Sequence, residues 1–306
     1  MITVLLATWN GEKYLKEQMD SLLQQTDPEF SILISDDGST DRTPFIIKEY
    51  ETRYPKRVSS LKTSKPTGSA RNNFYRLIKA SSDDYIMFCD QDDIWLPDKV
   101  EITKKEMERM EQKWGEDMPI LVHSDLMVAD ENGSLRCKSM ARYQKIAVND
   151  NRTSHYLVEN NITGCTMMIN KALQTLLEPL PENGMMHDWW IGLVASCFGK
   201  ISYIDRPLIK YRQHGGNQVG ARSGINQMLE RTNNQERIKE NYRGLFDQAN
   251  AFLSVYGPSM SPEQKELFEA FIMINDKNRA GKIRVIWKYK LFKSTPMRTL
   301  GQMLFI

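Results

Sequence analysis

Three short apolar runs in the first hundred residues each stop at a polar cluster. Ile2–Ala7 ends at Thr8-Trp9-Asn10-Gly11, Phe30–Ser35 at Asp36-Asp37-Gly38-Ser39, and Tyr85–Cys89 at Asp90-Gln91-Asp92-Asp93. Short runs that are continuously apolar predict strands buried on both faces. Helical patterns lie between them. Tyr14–Gln25 sets Leu15, Met19, Leu22 and Leu23 on one face, Pro44 suits the first turn of a helix to about Arg53, and Ser69–Ala80 turns Phe74, Leu77 and Ile78 inward. Val58–Lys62 reads as a further strand, and Pro97-Asp98 open a charged helix to about Trp114. Strands alternating with helices fold into an open, Rossmann-like, mostly parallel α/β sheet flanked by helices. Ligands of such sheets bind beyond the carboxyl ends of the strands. The three clusters are therefore expected on one rim.

The second half is less regular. Ile120–His123, Cys165–Ile169 and Ile201–Ile204 read as strands, Asp130-Glu131-Asn132-Gly133 as a hairpin turn, and Trp189–Phe198 as a helix ended by Gly199. Ile225–Tyr256 and Pro262–Arg279 read as polar amphipathic helices, and the sheet pattern stops near Gly220–Gly224. The expected organisation is a main domain over residues 1–220 and a helical extension over 221–306, whose helices offer a surface for a homodimer. Lys282–Ile306 mixes six basic residues with Val285, Ile286, Trp287, Leu291, Phe292 and Leu300. Two readings fit that pattern: a helix lying on an anionic membrane surface, which we favour, and a helix packed on the main domain.

Composition narrows the class. Lys and Arg total 41 against 39 Asp and Glu, which argues against a nucleic-acid partner. Cys89, Cys137, Cys165 and Cys197 are widely spaced with no CxxC pair, so a zinc ribbon is not expected and a reducing cytoplasm fits. The first residues read as a strand rather than a signal peptide, and no apolar run approaches the ~20 residues that span a bilayer.

Each cluster has a chemical reading beside a plain one. Asp90, Asp92 and Asp93 crowd three carboxylates that a divalent cation such as Mn²⁺ or Mg²⁺ would relieve; the plain reading is a solvated loop before a helix. The Asp36-Asp37-Gly38-Ser39 turn can accept a nucleobase imide N–H, or be an Asx-turn. Thr67–Asn73 opens a helix whose free N–H groups and Arg71 suit a diphosphate; a surface Arg is the alternative. Asp188, between His187 and Trp189-Trp190, follows the turn-like Pro181-Glu182-Asn183-Gly184. It reads as a partly desolvated general base or as a helix N-cap. His214, in Tyr211-Arg212-Gln213-His214-Gly215-Gly216-Asn217, reads as a third metal ligand on a mobile loop or as an incidental His.

Taken in order, Thr8–Gly11, Asp36–Ser39, Arg71-Asn72, Asp90–Asp93 and Asp188 resemble glycosyltransferase family 2 over most of residues 1–220. Cys89–Trp95, His187–Trp190 and Tyr211–Gly215 look more narrowly like bacterial rhamnosyltransferases of cell-wall or surface polysaccharide synthesis. The resemblance implies a GT-A fold and an inverting transfer from dTDP-β-L-rhamnose to a saccharide acceptor on a polyprenyl diphosphate lipid, giving an α-L-rhamnoside at the inner face of the cell membrane. It implies that Thr8, Asn10 and Asp37 hold the nucleotide with Asp36 supporting the turn. Arg71 meets the diphosphate, and Asp90 with Gln91 the ribose side. Asp92, Asp93 and His214 bind the metal, and Asp188 is the base. His187 departs from the pattern, since many members carry Glu there. Rival readings are a UDP-hexose or UDP-N-acetylhexosamine donor and a non-catalytic nucleotide-sugar-binding protein. A phosphohydrolase is disfavoured because Thr8-Trp9-Asn10 stands where its nucleophilic Asp belongs, and an oxidoreductase because no GxGxxG follows a strand.

Overall fold

The computed structural model describes residues 1–306 apart from 63–64, 182–183 and 216–234. Its sheet begins with β1 (Ile2–Thr8), β2 (Phe30–Asp36), β3 (Val58–Ser60) and β4 (Tyr85–Asp90), then β5 (Ile94–Trp95), β6 (Ile120–Ala129), β7 (Leu135–Cys137), β8 (Met168–Asn170) and β9 (Lys200–Arg212). The order is β3-β2-β1-β4-β8-β6-β9-β5, with β7 on the side of β6. The first four strands run parallel; β8 is antiparallel to both β4 and β6, and β6 and β9 are again parallel.

Every residue of β1 is buried. Val4 and Leu6 face one core, with Leu15 and Met19 of α1 (Leu15–Leu23) and Ile46 of α2 (Thr43–Arg53). Leu5 and Ala7 face the other, with Phe74 and Leu77 of α3 (Ala70–Ala80). A strand whose two faces are both covered needs an unbroken apolar sequence, which β1 has. Helix α4 (Lys99–Trp114) packs with the α1 side, through Val100 and Met107. The register then sets the rim. Thr8 pairs with Asp36, and Ala7 pairs with Asp90. The clusters that end three strands thus lie side by side.

The second half diverges from its sequence pattern in several places. A single 3-10 turn, Gly164–Thr166, precedes β8, so the strand begins at Met168 rather than Cys165. β9 runs on to Arg212 instead of stopping at Ile204; a register shift lets Pro207 pair with Asp125, and the polar Asp205-Arg206 hides the continuity in sequence. Two short helices, α5 (Met140–Gln144) and α6 (Thr153–Tyr156), precede that turn, and α7 (Lys171–Leu176) follows β8. Helix α8 (His187–Phe198) is two residues longer than read. Helix α9 (Gln235–Tyr256) is described from Gln235; the expected start at Ile225, the boundary at Gly220–Gly224 and the turn residues Glu182-Asn183 lie outside the described residues. Helix α10 (Pro262–Ile272) ends seven residues early, and Asn278 caps a new helix, α11 (Arg279–Lys288), by accepting from Gly281 N. Helix α12 (Pro296–Phe305) closes the chain.

The helical extension shares the α3-side core. Trp190 of α8 meets Phe252 of α9 at 5.4 Å between centroids, and Phe252 stacks on Phe268 of α10 at 4.7 Å. Among the described residues no helix is long and apolar enough to cross a membrane.

Candidate functional site

A cleft of about 600 Å³ opens at the carboxyl ends of β1, β2 and β4. Thr8 and Asp37 form one part of its wall, Asp90, Gln91 and Asp92 another, and Thr163, Gly164 and Asp188 a third. The rim expected from the sequence is therefore one cavity, and the later Asp188 joins it.

On the β2 side, Asp36 organises the loops. Its Oδ1 accepts from Thr8 Oγ1 at 2.8 Å and Ser39 Oγ at 2.6 Å, and its Oδ2 accepts from Ser39 N at 2.9 Å. Asp37 lines the cleft with its carboxylate already receiving Thr67 N and Gly68 N, the latter at 2.9 Å. That bond pair draws the segment before α3 over the turn. Gly38 has φ +81°, and a side chain there would start 2.6 Å from the Pro66 ring, so glycine is required. Asn10 does not reach the cleft: its Oδ1 accepts Thr40 N and its own N–H donates to Ser39 Oγ, both at 2.8 Å. It braces the loop, with φ +46°. Arg71 is likewise outside the lining, with Nε donating to Asn72 Oδ1 and Nη1 to Gly184 O. Helix α3 still points its first turn inward, through Ser69 and Ala70, and Ser69 caps it by accepting Asn72 N.

The acidic floor divides into two levels. Gln91 clamps the neighbouring loop, accepting Trp9 N at 2.8 Å and donating to Trp9 O at 2.9 Å. Asp92 faces the cleft, and its Oδ2 lies 2.8 Å from His214 Nε2. His214 in turn stacks on Tyr14 at 4.7 Å. Asp93 points beneath: it is fully buried, does not line the cleft, and accepts Arg212 N at 3.2 Å. Asp93, expected with Asp92 and His214 as a metal ligand, lies beneath the cleft, while the turn after β4 leaves Asp90, Gln91 and Asp92 on its wall. Below the floor, Lys99 is fully buried with no hydrogen-bond partner for Nζ among the described residues, 4.1 Å from the Trp95 ring. Burial pulls its pKa down to about 8. Burial, with Asp92 and Asp90 nearby, pushes Asp93 well up.

This donor set fits a hard cation at the upper level. A carboxylate and an imidazole 2.8 Å apart have about the ~3 Å spacing of neighbouring ligands around an octahedral ion with ~2.1 Å bonds. Asp90 stands beside them, its pKa raised to about 7 by burial, then by the charges of Asp92 and Asp188. A cation is what such repulsion lacks. Asp90, Asp93 and Cys165 also bring one ligand atom each within 4.8 Å of one another, but a thiol suits a soft metal.

Asp188 sits in the first turn of α8, and Met186, not Asp188, is the N-cap. The capping reading therefore fails. Its Oδ1 accepts Trp189 N at 2.7 Å and its Oδ2 accepts Gly164 N at 3.1 Å. Burial raises its pKa to about 6, and these two bonds hold the rise in check. A side chain at Gly164 would start 2.8 Å from His187 Nε2, so a bare backbone is needed for this approach. His187 is buried against Phe74 at 4.0 Å and is kept neutral, its pKa pulled down to about 3 by burial.

Sequence reasoning missed Thr163 and Gly164, which carry no motif of their own. It also missed Arg212, whose guanidinium donates to Asp92 O and Glu131 O, 2.9 Å each, and to Glu17. Its place in Tyr211-Arg212-Gln213-His214 was the available signal. Trp9, read from the sequence only as part of the Thr8–Gly11 cluster with no role of its own, lines the cleft with 62% of its surface exposed.

Known proteins resemble this chain in sequence and fold. The family model described as Glycosyl transferase family 2 matches residues 3–177. A dTDP-rhamnosyl transferase, RfbG of Shigella flexneri, is 34% identical over 229 residues, covering 71% of this chain and 74% of the relative. Among solved structures, S. aureus TarS 1-349 in complex with UDP-GlcNAc superposes with TM-score 0.58 at 18% identity, covering 89% of this chain and 71% of that one. The mannosyltransferase PcManGT from Pyrobaculum calidifontis, in complex with GDP-Man and Mn²⁺, gives TM-score 0.58 at 13% identity, with coverage of 98% and 78%. At these identities the two structures speak for the fold, which is that of GT-A glycosyltransferases.

Proposed function

The chain belongs to glycosyl transferase family 2, and from that premise we propose that it is an inverting rhamnosyltransferase. Membership makes it a glycosyltransferase rather than the binding module considered above. Its donor is dTDP-β-L-rhamnose, its acceptor a saccharide on a polyprenyl diphosphate lipid, and its product an α-L-rhamnoside of a cell-wall or surface polysaccharide, made at the inner face of the membrane. The donor assignment is supported by the 34% identity to the Shigella dTDP-rhamnosyl transferase.

The observation that carries the chemistry is Asp188. It is held by two backbone N–H groups at the cleft wall, close enough to Asp90 to raise that carboxyl. The acceptor hydroxyl gives its proton to Asp188 as its oxygen bonds to the anomeric carbon. The bond from that carbon to the diphosphate oxygen breaks in the same displacement, and dTDP leaves with the electron pair. One displacement inverts the centre. Thr8 and Asp37 border the nucleobase, and Asp90 the ribose. Arg71 reaches the diphosphate by exchanging its bond to Gly184 O. A bound Mn²⁺ or Mg²⁺ would be held by Asp92 and His214 beside Asp90, and would supply positive charge to offset that of the diphosphate.

The test is a donor panel of dTDP-rhamnose, UDP-glucose and UDP-N-acetylglucosamine with Mn²⁺ and a rhamnan- or hexosamine-terminated acceptor. dTDP-rhamnose should give both the largest thermal stabilisation and the fastest turnover. Faster turnover of a UDP-sugar would replace the donor with a UDP-hexose or UDP-N-acetylhexosamine.

A further inference from the structure

The last thirty residues carry one sign of charge. From Lys277 to Ile306 there are eight Lys and Arg side chains and no Asp or Glu, in a chain whose totals are 41 against 39. This stretch forms α11 and α12. Their inner sides are core: Val285 and Ile286 are buried, as are Thr299 and Gln302, and Leu291 between the two helices is buried with them. Their outer sides are apolar too. Ile283 and Trp287 lie one turn apart on α11, 36% and 63% exposed; Met297, Leu300 and Leu304 follow helical spacing on α12, 66%, 58% and 54% exposed. Arg279, Arg284 and Lys290 are exposed and form no ion pair among the described residues.

Single exposed apolar residues are ordinary, but helical stripes of them on adjacent helices need an occupant. We infer that this face docks on an anionic lipid bilayer, with Trp287 and the aliphatic side chains entering the interface and Arg279, Arg284 and Lys290 meeting the headgroups. The combination of aromatic, aliphatic and basic residues is what such a surface binds. A nucleic acid would engage the charges but leave Leu300, Leu304 and Met297 in water. A second copy would bring two like-charged faces together across a two-fold axis.

The face is also tied to the cleft wall. Ser154 Oγ donates to Lys290 O at 3.2 Å, His155 Nδ1 lies 2.9 Å from Phe292 O, and Arg298 pairs with Glu159 at 3.0 Å. That anchoring segment continues into Thr163 and Gly164 beside Asp188. Only the purpose of docking, presenting the cleft to a lipid-linked acceptor, rests on the proposed reaction.

The full chain is sedimented with vesicles of phosphatidylcholine alone and with phosphatidylglycerol added. Binding should require phosphatidylglycerol, weaken with salt, and shift tryptophan emission to the blue. The pair Trp287→Ser with Leu304→Ser, and the triple reversal Arg279→Glu, Arg284→Glu and Lys290→Glu, should each cut vesicle affinity at least ~10-fold. Neither should change Tm or turnover with a soluble acceptor. Absent binding, or unchanged affinity in both variants, overturns docking. So does a concentration-dependent dimer abolished by the same substitutions, which assigns the face to a second copy, or tighter retention on RNA than on vesicles. Vesicle binding that persists in a protein unable to use dTDP-rhamnose supports docking and removes only the donor assignment.

Discussion

Asp188 keeps a carboxylate where the protein resists its charge. Burial raises its pKa to about 6, and the backbone N–H groups of Trp189 and Gly164 limit the rise. The folded state therefore holds the proton more readily than the unfolded chain. Between about pH 4 and 6 this residue's contribution to stability falls as pH rises, and above 6 it stays lowered. For catalysis the sign is opposite, since a base must be ionised. Turnover at saturating substrate should therefore drop as pH falls below about 6. Asp188→Asn removes the charge and retains much of the shape. It should lower turnover by roughly 10²-fold or more, flatten the acid limb, leave donor affinity unchanged, and keep or raise Tm at pH 7.5. A cap would show none of the kinetic losses, because Asn caps about as well as Asp. Near-normal turnover with an unaltered pH profile would remove Asp188 as the base. Its candidacy was legible from the adjacent indoles. Its partner Gly164 was not, because a glycine that matters by leaving room has no local signature.

Elements decide which members of an acidic cluster share a purpose. Asp90-Gln91-Asp92-Asp93 reads as one cluster in sequence, but the turn from β4 to β5 separates it. Gln91 braces Trp9, Asp92 meets His214, and Asp93 goes beneath to Arg212 N. Sequence spacing placed the cluster on the rim because strand register does the placing: Thr8 beside Asp36, Ala7 beside Asp90. It did not resolve the levels, since those depend on Arg212, which arrives from the far end of β9. The split makes a paired prediction. Chelation by EDTA should abolish turnover and Mn²⁺ or Mg²⁺ restore it. Asp92→Asn should weaken metal-dependent donor binding while leaving Tm within a few degrees. Asp93→Asn should leave metal dependence in place. Full activity in chelator, or a metal requirement shifted only by Asp93→Asn, would reverse this assignment.

At the scale of the whole molecule, the division into a catalytic domain over 1–220 and a helical extension over 221–306 is a proposal about organisation along the chain. The packing makes its own statement about cooperativity. An amphipathic helix announces in sequence that it has a buried face but not what covers it. Here the cover is α8, the helix whose first turn holds Asp188. Trp190 and Phe198 of α8 contact Phe252 and Tyr256, and Phe252 stacks on the fully buried Phe268. Core truncations of a buried Phe cost about 3–5 kcal/mol, because the cavity closes only in part. If α9 and α10 are part of the support of α8, Phe268→Ala should lower the melting temperature of the entire chain by several degrees in a single transition. Donor turnover should also fall well below the melting point, as the start of α8 loosens. Calorimetry of the variant separates the cases. Two resolved transitions, with only one moved by Phe268→Ala and turnover intact, would mean that the extension folds as an independent unit and that α8 holds Asp188 in place without it.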